Sequence, residues 1–454
     1  MQTNDFSNLP TSWQIKTLGE IYDITSSKRV FKDEWKTDGI PFYRARDLVS
    51  FSKNEPIKNP LFISETMYNE YSSKYGIPLE DDILVTGVGT IGIPYLVKAN
   101  EKFYFKDGNI LWFKKRASNI FSKYVYYLFL SNLLDTNSKG STVLTYTIIN
   151  AKNTKIPLPP LEIQKRIVAR LESAFEKIEK GSAHLQDAKA KLAKYKQSLL
   201  KSAFDGTLTA AASLQGVEKA ETIHKVDCHD LTSSKLAMTD KENPKLPQGW
   251  TIKTLGEVLS NDKYAIKRGP FGSSLKKNFF VKSGVRVFEQ YNPINQDVEW
   301  KRYFITQEKF KELEAFKAGA GDLLISCSGT LGKILELPQN VEVGIINQAL
   351  LKIRLDNTQI LNSYFVHLFN SPYMQKIILE NTLGSTIQNI ASVKELKQIK
   401  IPLPPLETQK QIVKLLEKHL QHADKTGEFI ESALNKAKQL KQSLLKSAFL
   451  GKLT

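Results

Sequence analysis

The chain has 454 residues, 41% of them hydrophobic, which is enough for two or three domains with cores of their own. Its two cysteines, Cys228 and Cys327, exclude a disulfide-built scaffold and fit a reducing, cytoplasmic setting, and its apolar runs fall short of the ~20 residues that a membrane span needs. The formal net charge of +17 indicates a polyanionic partner and favours nucleic acid over a charge that serves solubility alone.

The first part of the chain predicts a domain of mixed strands and helices. It opens with WQIKTLGEI (Trp13–Ile21), and a basic stretch and a strand-like apolar run, Gly39–Val49, follow. DDILVTGVGTIG (Asp81–Gly92) and NILWFK (Asn109–Lys114) are typical of strands, while SKYVYYLFLS (Ser122–Ser131) is typical of a helix. We therefore predict an α/β (α+β) fold.

The glycine-rich run after Asp81 satisfies GxGxxG at Gly87, Gly89 and Gly92, which alone suggests a loop for a dinucleotide or S-adenosylmethionine. Pro94 follows in a segment that predicts a strand, whereas a phosphate-binding loop leads into a helix. The second copy of this run has Cys327 in place of the first glycine. A tight turn between two strands is the favoured interpretation, and we predict no cofactor.

A long helix follows in the segment Ile156–Phe204, which begins with IPLPPLE and ends with QSLLKSAF. Prolines hold its entry extended, and Gly206 predicts its end. The apolar residues that recur every seven positions are Leu171, Ile178, Leu185, Leu192 and Leu199. This spacing is typical of a coiled coil.

The same order of elements then returns. The repeated segments are WTIKTLGEV (Trp250–Val258), GVRVFEQYNPI (Gly284–Ile294), GDLLISCSGTLG (Gly321–Gly332), NQALLKI (Asn347–Ile353), SYFVHLFNS (Ser363–Ser371) and the helix Ile401–Phe449. The predicted seam of the second helix contains Leu416, Leu420, Ala423, Ile430, Ala433, Ala437, Leu440 and Leu444. The offset between copies is constant in the helices and drifts in the globular parts, so the insertions fall in loops.

The duplication predicts five parts: two similar globular domains at 1–155 and 246–400, long helices at 156–205 and 401–454, and a polar linker at 206–245. We expect the two helices to pair as an antiparallel coiled coil about a pseudo-twofold axis. Gly181 and Gly427, near mid-helix, would permit a close approach or a local bend. Such a chain would hold two unlike DNA-binding domains at a fixed separation.

Catalytic motifs are not evident in the sequence. It contains no Walker A loop, and the Pro-Pro pairs lie in LPPLE rather than in a methyltransferase motif. His184, His419 and His422 lie on the helices, where solvated roles are commoner than metal binding, and Cys228-His229 has no second ligand pair. We predict a protein that is not an enzyme.

Binding residues are the remaining candidates, because lysine and arginine neutralise phosphates while arginine, asparagine and glutamine recognise base edges. The candidates in the first domain are Lys28, Arg29, Lys32, Tyr43, Arg44, Arg46 and Thr90. Those in the second domain are Lys267, Arg268, Ser273, Ser274, Lys276, Lys277, Gln290, Tyr291, Asn292 and Thr330. Arg44 and Arg46 are expected to alternate on a strand, with Gln290–Asn292 in the place of Arg44–Arg46. For a single lysine, a solvated surface charge remains the favoured alternative.

The chain resembles the specificity subunits of type I restriction–modification enzymes in its doubled W-x-I-K-T-L-G-E openings, its doubled GT(I/L)G turns and its doubled IPLPPLE…QSLLKSAF helices. The resemblance implies that the two globular domains are target recognition domains, and that each recognises one half of a split, asymmetric sequence in double-stranded DNA. It implies helices that set the spacing and dock two methyltransferase subunits, through which restriction subunits join. It also implies that the chain has no catalytic residues and no cofactor, because S-adenosylmethionine belongs to the methyltransferases.

Two alternatives from other classes remain. A single-chain restriction-methyltransferase would bind S-adenosylmethionine by itself. A coiled-coil adaptor without DNA contact would tolerate charge reversal at the basic candidates.

Overall fold

The structure, a computed structural model, describes residues 6, 9–134, 136, 145–208, 247–380 and 390–453. The predicted linker lies outside these residues, apart from its first three positions. The chain divides into a first unit, Met1–Asp187 with Ile430–Thr454, and a second unit, Ala188–Phe429. Each unit therefore contains one globular domain and parts of both long helices.

The first unit is built from short strands and helices that end in the long helix. Its strands are β1 (Gln14–Thr17), β2 (Tyr22–Thr25), β3 (Ile40–Tyr43), β4 (Phe62–Ile63), β5 (Ile83–Thr86), β6 (Pro94–Leu96), β7 (Tyr104–Phe105), β8 (Ile110–Lys115) and β9 (Lys155–Leu158). Its helices are α1 (Leu18–Ile21), a 3-10 turn (Lys32–Glu34), α2 (Ala45–Ser52), α3 (Glu65–Tyr75), α4 (Ser122–Leu130), α5 (Ile148–Asn153) and the start of α6 (Leu161–Phe204). The strand orders are β2-β8-β5-β6, β4-β3-β7 and β1-β9.

The second unit repeats this architecture. Its strands are β10 (Thr251–Thr254), β11 (Ile266–Arg268), β12 (Val285–Phe288), β13 (Tyr303–Ile305), β14 (Lys317–Ala318), β15 (Leu323–Ser326), β16 (Ile334–Glu336), β17 (Gly344–Ile346), β18 (Leu350–Ile353) and β19 (Lys400–Leu403). Its helices are α7 (Tyr291–Asn295), α8 (Gln307–Glu312), α9 (Asn362–Phe369), α10 (Pro372–Glu380), α11 (Val393–Lys397), the start of α12 (Leu406–Phe449), and 3-10 turns at Leu255–Val258, Lys277–Phe279 and Glu314–Phe316. The strand orders are β11-β18-β15-β16, β13-β12-β17-β14 and β10-β19, so only β14 is added among the described strands. The predicted mixed α/β class and the duplication are confirmed.

The repeated opening motif joins the start of each domain to the entry of its long helix. β1 pairs with β9, so the proline-rich entry is extended as expected. The Thr17 backbone N–H donates to Glu20 Oε2 at 2.6 Å, which caps α1 and is the main reason that the pKa of Glu20 falls to about 2. Gly19 permits close packing, since a Cβ there would lie 2.9 Å from the Lys152 carbonyl oxygen. Thr254 and Glu257 form the same cap in the second unit, so the T-L-G-E motif is a structural signature.

A buried glutamine fixes the start of each long helix. Gln164 Nε2 donates to the Asn119 and Pro159 carbonyl oxygens at 3.1 and 2.9 Å, and its Oε1 accepts from the Phe121 N–H at 2.9 Å. Gln409 makes the equivalent three bonds, at 2.8 to 2.9 Å, in the second unit. The glutamine that follows LPPLE thus ties the helix to the segment before α4 or α9.

The helices pair antiparallel within the first unit. Arg170 Nη1 donates to the Leu453 carbonyl oxygen at 2.8 Å, and Glu179 pairs with Lys441 at 2.7 Å. As residue numbers rise along α6, those of its partners on α12 and just after it fall. Leu440 was predicted on the seam but is 49% exposed. That prediction is wrong, because the neighbouring residue Lys441 faces α6, with its Nζ 5.5 Å from the centroid of the Phe175 ring.

The same antiparallel pairing holds within the second unit. Lys196 pairs with Asp424, and a Cβ on Gly427 would lie 3.5 Å from Leu192 Cδ2. The close approach predicted at Gly427 is confirmed. At Gly181 it is wrong, since no other described atom lies within 4 Å of a Cβ built there. In the part of the chain that the structure describes, no helix is both long enough and apolar enough to span a membrane.

The end of each long helix fills a domain core, which explains the repeated QSLLKSAF. Phe449, from α12, is buried in the first unit with its ring centroid 5.1 Å from that of Tyr124. Phe204, from α6, lies 5.4 Å from Tyr364 in the second unit. Each core is therefore completed by the helix that the other repeat encodes. The helices stop shortly afterwards, at glycines with positive φ, as expected.

Replacing Phe449 by alanine should destabilise the first unit by about 3–5 kcal/mol, because it leaves a cavity in the core. Phe429→Ala on the same helix is the matched control, since Phe429 is 76% exposed and its loss should cost less than about 0.5 kcal/mol. Urea unfolding of both variants measures the difference. Equal stabilities would contradict the proposed role of the helix end.

Candidate nucleic-acid interface

Several connections of the first unit leave its sheets at one edge. β8 is antiparallel to β2 and β5, so both of these strands end where β8 begins. β3 is parallel to β7, whose end leads through residues 106–109 into β8. The connections after β2, β3 and β5 therefore meet beside residues 106–109. We call this surface the first loop edge: residues 26–32, 44–47, 87–92 and 106–109.

Hydrogen bonds tie these connections together. The Ser26 hydroxyl donates to the carbonyl oxygen of the first residue of β8 at 2.9 Å. Gly87 N–H donates to the Asn109 carbonyl oxygen, and Lys106 N–H to that of Tyr43, both at 2.8 Å. The loop edge is thus a braced surface rather than a set of separate loops.

The second unit has the equivalent surface, the second loop edge: residues 269–277, 289–292, 327–332 and 347–349. Gly269 N–H donates to the carbonyl oxygen of Leu350, the first residue of β18, at 2.9 Å. Cys327 N–H donates to the Ala349 carbonyl oxygen at 2.8 Å. Asn347 N–H donates to the carbonyl oxygen of Phe288, the last residue of β12, at 3.0 Å. A Cβ at Gly269 would collide with the Asn347 carbonyl oxygen, so this close approach requires glycine.

The GT(I/L)G run is the turn of a hairpin, since β5 and β6 pair antiparallel around it. The Thr86 hydroxyl donates to the Thr90 carbonyl oxygen at 2.5 Å and accepts from the Ile93 N–H at 2.9 Å. Gly89 has a φ of +77°, which suits glycine. The predicted tight turn between strands is confirmed, and it leaves the candidates Thr90 and Thr330 exposed at the two loop edges.

The expectation that Arg44 and Arg46 alternate on a strand is wrong, because the chain turns into α2 directly after β3. Asp47 Oδ2 accepts the Arg44 backbone N–H at 2.8 Å and so starts the helix. The Arg44 guanidinium bonds to both Asp47 oxygens, at 2.8 and 3.1 Å, and to the Asn59 carbonyl oxygen at 2.8 Å. Arg44 is 16% exposed and braces the turn, whereas Arg46 is 60% exposed.

The same cap corrects the predicted alignment of the second domain. Asn292 Oδ1 accepts the Glu289 backbone N–H at 2.9 Å, as Asp47 does for Arg44. Glu289 therefore takes the place of Arg44, and Tyr291 takes that of Arg46. Asn292 is fully buried and donates to two further carbonyl oxygens at 2.8 and 3.0 Å, so its amide is committed to the fold.

The neighbours of Asn292 differ in their access to solvent. Tyr291 is exposed and stacks on Trp300 with ring centroids 4.3 Å apart. Gln290 Oε1 is buried and lacks a hydrogen-bond partner among the described residues. Burial also raises the pKa of the Glu289 carboxyl group, against the opposing charge of Arg302. Tyr291 is thus the member of this group that presents a side chain to solvent.

Tyr43 belongs to an aromatic cluster below the first loop edge. Its ring stacks on Phe103 at 4.7 Å and meets Phe51 edge-on at 5.0 Å. Burial raises the pKa of its hydroxyl. Tyr43 therefore packs inside the unit, where it supports the connection that follows β3.

The basic loop after β2 lies on the first loop edge. Arg29 Nε donates to Asp107 at 3.0 Å, yet the Arg29 side chain remains 64% exposed. Burial alone would raise the pKa of Asp107, but hydrogen bonds from Lys106 and Arg29 outweigh it and leave this pKa below its ordinary value. Lys28 and Lys32 are exposed nearby. The site thus concentrates positive charge around one neutralising carboxylate.

The second basic loop is arranged differently. Lys267 is half-buried, with Nζ 5.3 Å from the centroid of the Phe316 ring. Ser273, Lys276 and Lys277 are exposed. Arg268 and Ser274 are half-buried at the two ends of the loop.

Three residues on the loop edges were missed by the sequence reasoning. Lys106 and Gln348 lie in the connections before β8 and β18, and Phe271 lies in the second basic loop. The basic composition around Phe271 was a usable signal. Lys106 and Gln348 had none, because their position depends on the parallel pairing of strands far apart in the chain.

The remaining reactive groups offer little chemistry. Cys327 is buried and directly follows β15. Burial raises the pKa of its thiol to about 12, which disfavours the nucleophilic thiolate. Within the described ranges, no three His, Cys, Asp or Glu side chains are grouped to hold a metal ion.

A duplicated domain with a repeated loop edge and paired long helices defines a class of internally duplicated two-domain proteins. Residues 10–185 and 247–435 match the family model described as the type I restriction modification DNA specificity domain. The chain belongs to this family.

Known proteins resemble the chain over nearly its whole length. The EcoBI specificity subunit of a type I restriction enzyme from Escherichia coli is 23% identical over 468 residues, which covers 99% of this chain and 88% of the relative. A chain solved in work on complex assembly and conformational transition of the type I R-M system has a TM-score of 0.66 at 19% identity, covering 98% of this chain and 99% of that one. The HsdS subunit from Thermoanaerobacter tengcongensis has a TM-score of 0.56 at 19% identity, covering 99% and 100%. Both structures share the fold.

Arg44→Ala should lower the stability of the first unit by about 2–3 kcal/mol, because it leaves the buried Asp47 carboxylate without its main partner. Arg46→Ala is the neighbouring control and should change stability by less than about 0.5 kcal/mol. Chemical denaturation distinguishes the two variants. A neutral Arg44→Ala would show that this pair does not brace the turn.

Proposed function

We propose that this chain is the DNA-specificity subunit of a type I restriction–modification complex, and that each unit recognises one half of a bipartite, asymmetric DNA site. The observation that carries this proposal is the loop edge itself, which occurs twice on the same framework with different side chains. A repeated framework keeps the geometry of docking, while different loops provide different sequence preferences.

The proposed DNA-contacting side chains are the exposed and half-exposed candidates of the two loop edges. In the first unit they are Lys28, Arg29, Lys32, Arg46 and Thr90. In the second unit they are Lys267, Arg268, Ser273, Ser274, Lys276, Lys277, Tyr291 and Thr330. We assign Tyr43, Arg44, Gln290 and Asn292 a supporting role, since their polar groups are bonded within the unit or buried. Lysines neutralise phosphates, and arginine and hydroxyl groups suit base edges.

The partners follow from membership of the family. Two methyltransferase subunits would dock on the long helices, and restriction subunits would join through them. Methylation and cleavage would then belong to the partners, with this chain non-catalytic and acting on DNA in the cytoplasm. The proposed parts remain 1–155 and 246–400 for recognition, 156–205 and 401–454 for spacing and docking, and 206–245 as the linker.

Removing two lysines from the second loop edge should weaken the salt dependence of DNA binding. Each phosphate contact contributes about 0.9 to the slope of log K against log salt, so K276A/K277A should lower the slope by about 2. Lys282→Ala is the matched control, because Lys282 is exposed just before β12, at the opposite edge of the same unit. The measurement is affinity for the cognate duplex across salt, with methyltransferase subunits present. An unchanged slope in the double variant would contradict the proposal that the second loop edge contacts DNA phosphates.

Exchanging residues 12–155 for the matching segment of a relative with a different target should change one half of the recognised sequence. The other half should stay, because the second loop edge is untouched. Mapping of methylated bases in host DNA reports both halves at once. A change in both halves, or in neither, would contradict two separate recognition domains.

A further inference from the structure

The basic loop after β11 carries a large apolar side chain that the fold of the unit does not bury. Phe271 is 83% exposed, more than any other large hydrophobic residue among those the structure describes. It lies between Pro270 and Gly272 on the second loop edge. Solvent exposure of a phenylalanine ring costs free energy unless a partner covers it.

The loop is anchored on both sides of this ring. On one side, Gly269 is fixed against Asn347 and Pro270 is buried. On the other side, Leu275 is buried in the core of the unit, and Ser274 N–H donates to the Phe271 carbonyl oxygen at 2.9 Å. The anchored backbone therefore keeps the Phe271 ring exposed. Because this backbone is already ordered, the loop loses little conformational entropy on binding.

The neighbours of Phe271 indicate the chemistry of its partner. Lys276 and Lys277 are exposed in the same loop, and Arg268 ends the strand that leads into it. Such cations favour a phosphate backbone, and an apolar ring between them would meet the bases that the backbone flanks. A DNA duplex offers both surfaces.

The first loop edge has an exposed ring at a different position: Phe31 is 58% exposed, but it follows the buried Val30 and so takes the place of Lys276, not of Phe271. The loop of the first unit runs from the end of β2 to the buried Val30 through residues 26–29, whereas residues 269–274 separate β11 from the buried Leu275. A 3-10 turn follows in both units. Phe271 therefore lies in the longer part of the second loop, and its effect is confined to one half-site.

We propose that Phe271 is a specificity-determining residue whose ring inserts against one base step of the half-site recognised by the second unit. This inference rests on the proposed DNA-recognition function. The cations of the loop bind the phosphate backbone of the DNA. The ring favours base steps that unstack at low cost, such as pyrimidine–purine steps. Sequence preference at this step then comes from deformability rather than from hydrogen bonds to base edges.

The experiment compares F271A, F271L and V343A in the full chain with methyltransferase subunits. F271A should weaken binding to the cognate duplex by roughly tenfold or more, as expected for the loss of one aromatic contact with a base, at an unchanged salt slope. F271L should keep part of the affinity, because it keeps apolar volume. V343A is the matched control, since Val343 is 46% exposed just before β17, at the opposite edge of the same unit.

A second readout locates the ring. In duplexes with 2-aminopurine at successive positions of the second half-site, the parent chain should raise the fluorescence at one step, and F271A should abolish this signal. Parent-like affinity of F271A, or no fluorescence change at any position, would overturn the wedge. If the wedge failed in this way but K276A/K277A still lowered the salt slope, the proposed DNA-binding function would stand and only the role of Phe271 would be refuted. A lower melting temperature of F271A than of V343A would also overturn the proposal, because it would show that the ring packs within the protein.

Discussion

The packing of each long-helix end into a domain core is the interaction on which the rest of the structure depends. Phe449 meets Tyr124 in the first unit, and Phe204 meets Tyr364 in the second. α6 and α12 each contribute to both units, so neither core is complete with the residues of one repeat alone. This arrangement couples the stability of each domain to the helix encoded by the other half of the chain.

The framework and the loop edge are separated within each unit. The capping pairs Thr17–Glu20 and Thr254–Glu257 and the clamps of Gln164 and Gln409 recur with nearly the same bond lengths. The loop edges do not recur in the same way: one concentrates cations around a carboxylate, and the other has a longer, glycine-containing loop that carries Phe271. Because stability resides in the first set of contacts, the second set can differ without loss of the fold.

Sequence reasoning succeeded where a signal was local or periodic. The long helices, the hairpin turn and the strands before α4 and α9 follow from heptad spacing, glycine placement and apolar runs. It failed where one hydrogen bond changed the local structure. Asp47 caps a helix inside a run that suggests a strand, and the equivalent cap by Asn292 shifts the alignment of the second domain by one position. Leu440 is exposed because the next residue, Lys441, occupies the position that faces α6.

The sequence by itself determined the duplication, the paired helices and the basic character of the loops, because repetition and periodicity are written along the chain. Only the tertiary structure decided which candidate side chains are available for recognition. Arg44 is committed to a carbonyl oxygen at Asn59, while Lys106 reaches the loop edge through the pairing of β3 with β7. Contacts between residues distant in the chain leave no local pattern, so the loop edges could be identified only from the folded chain.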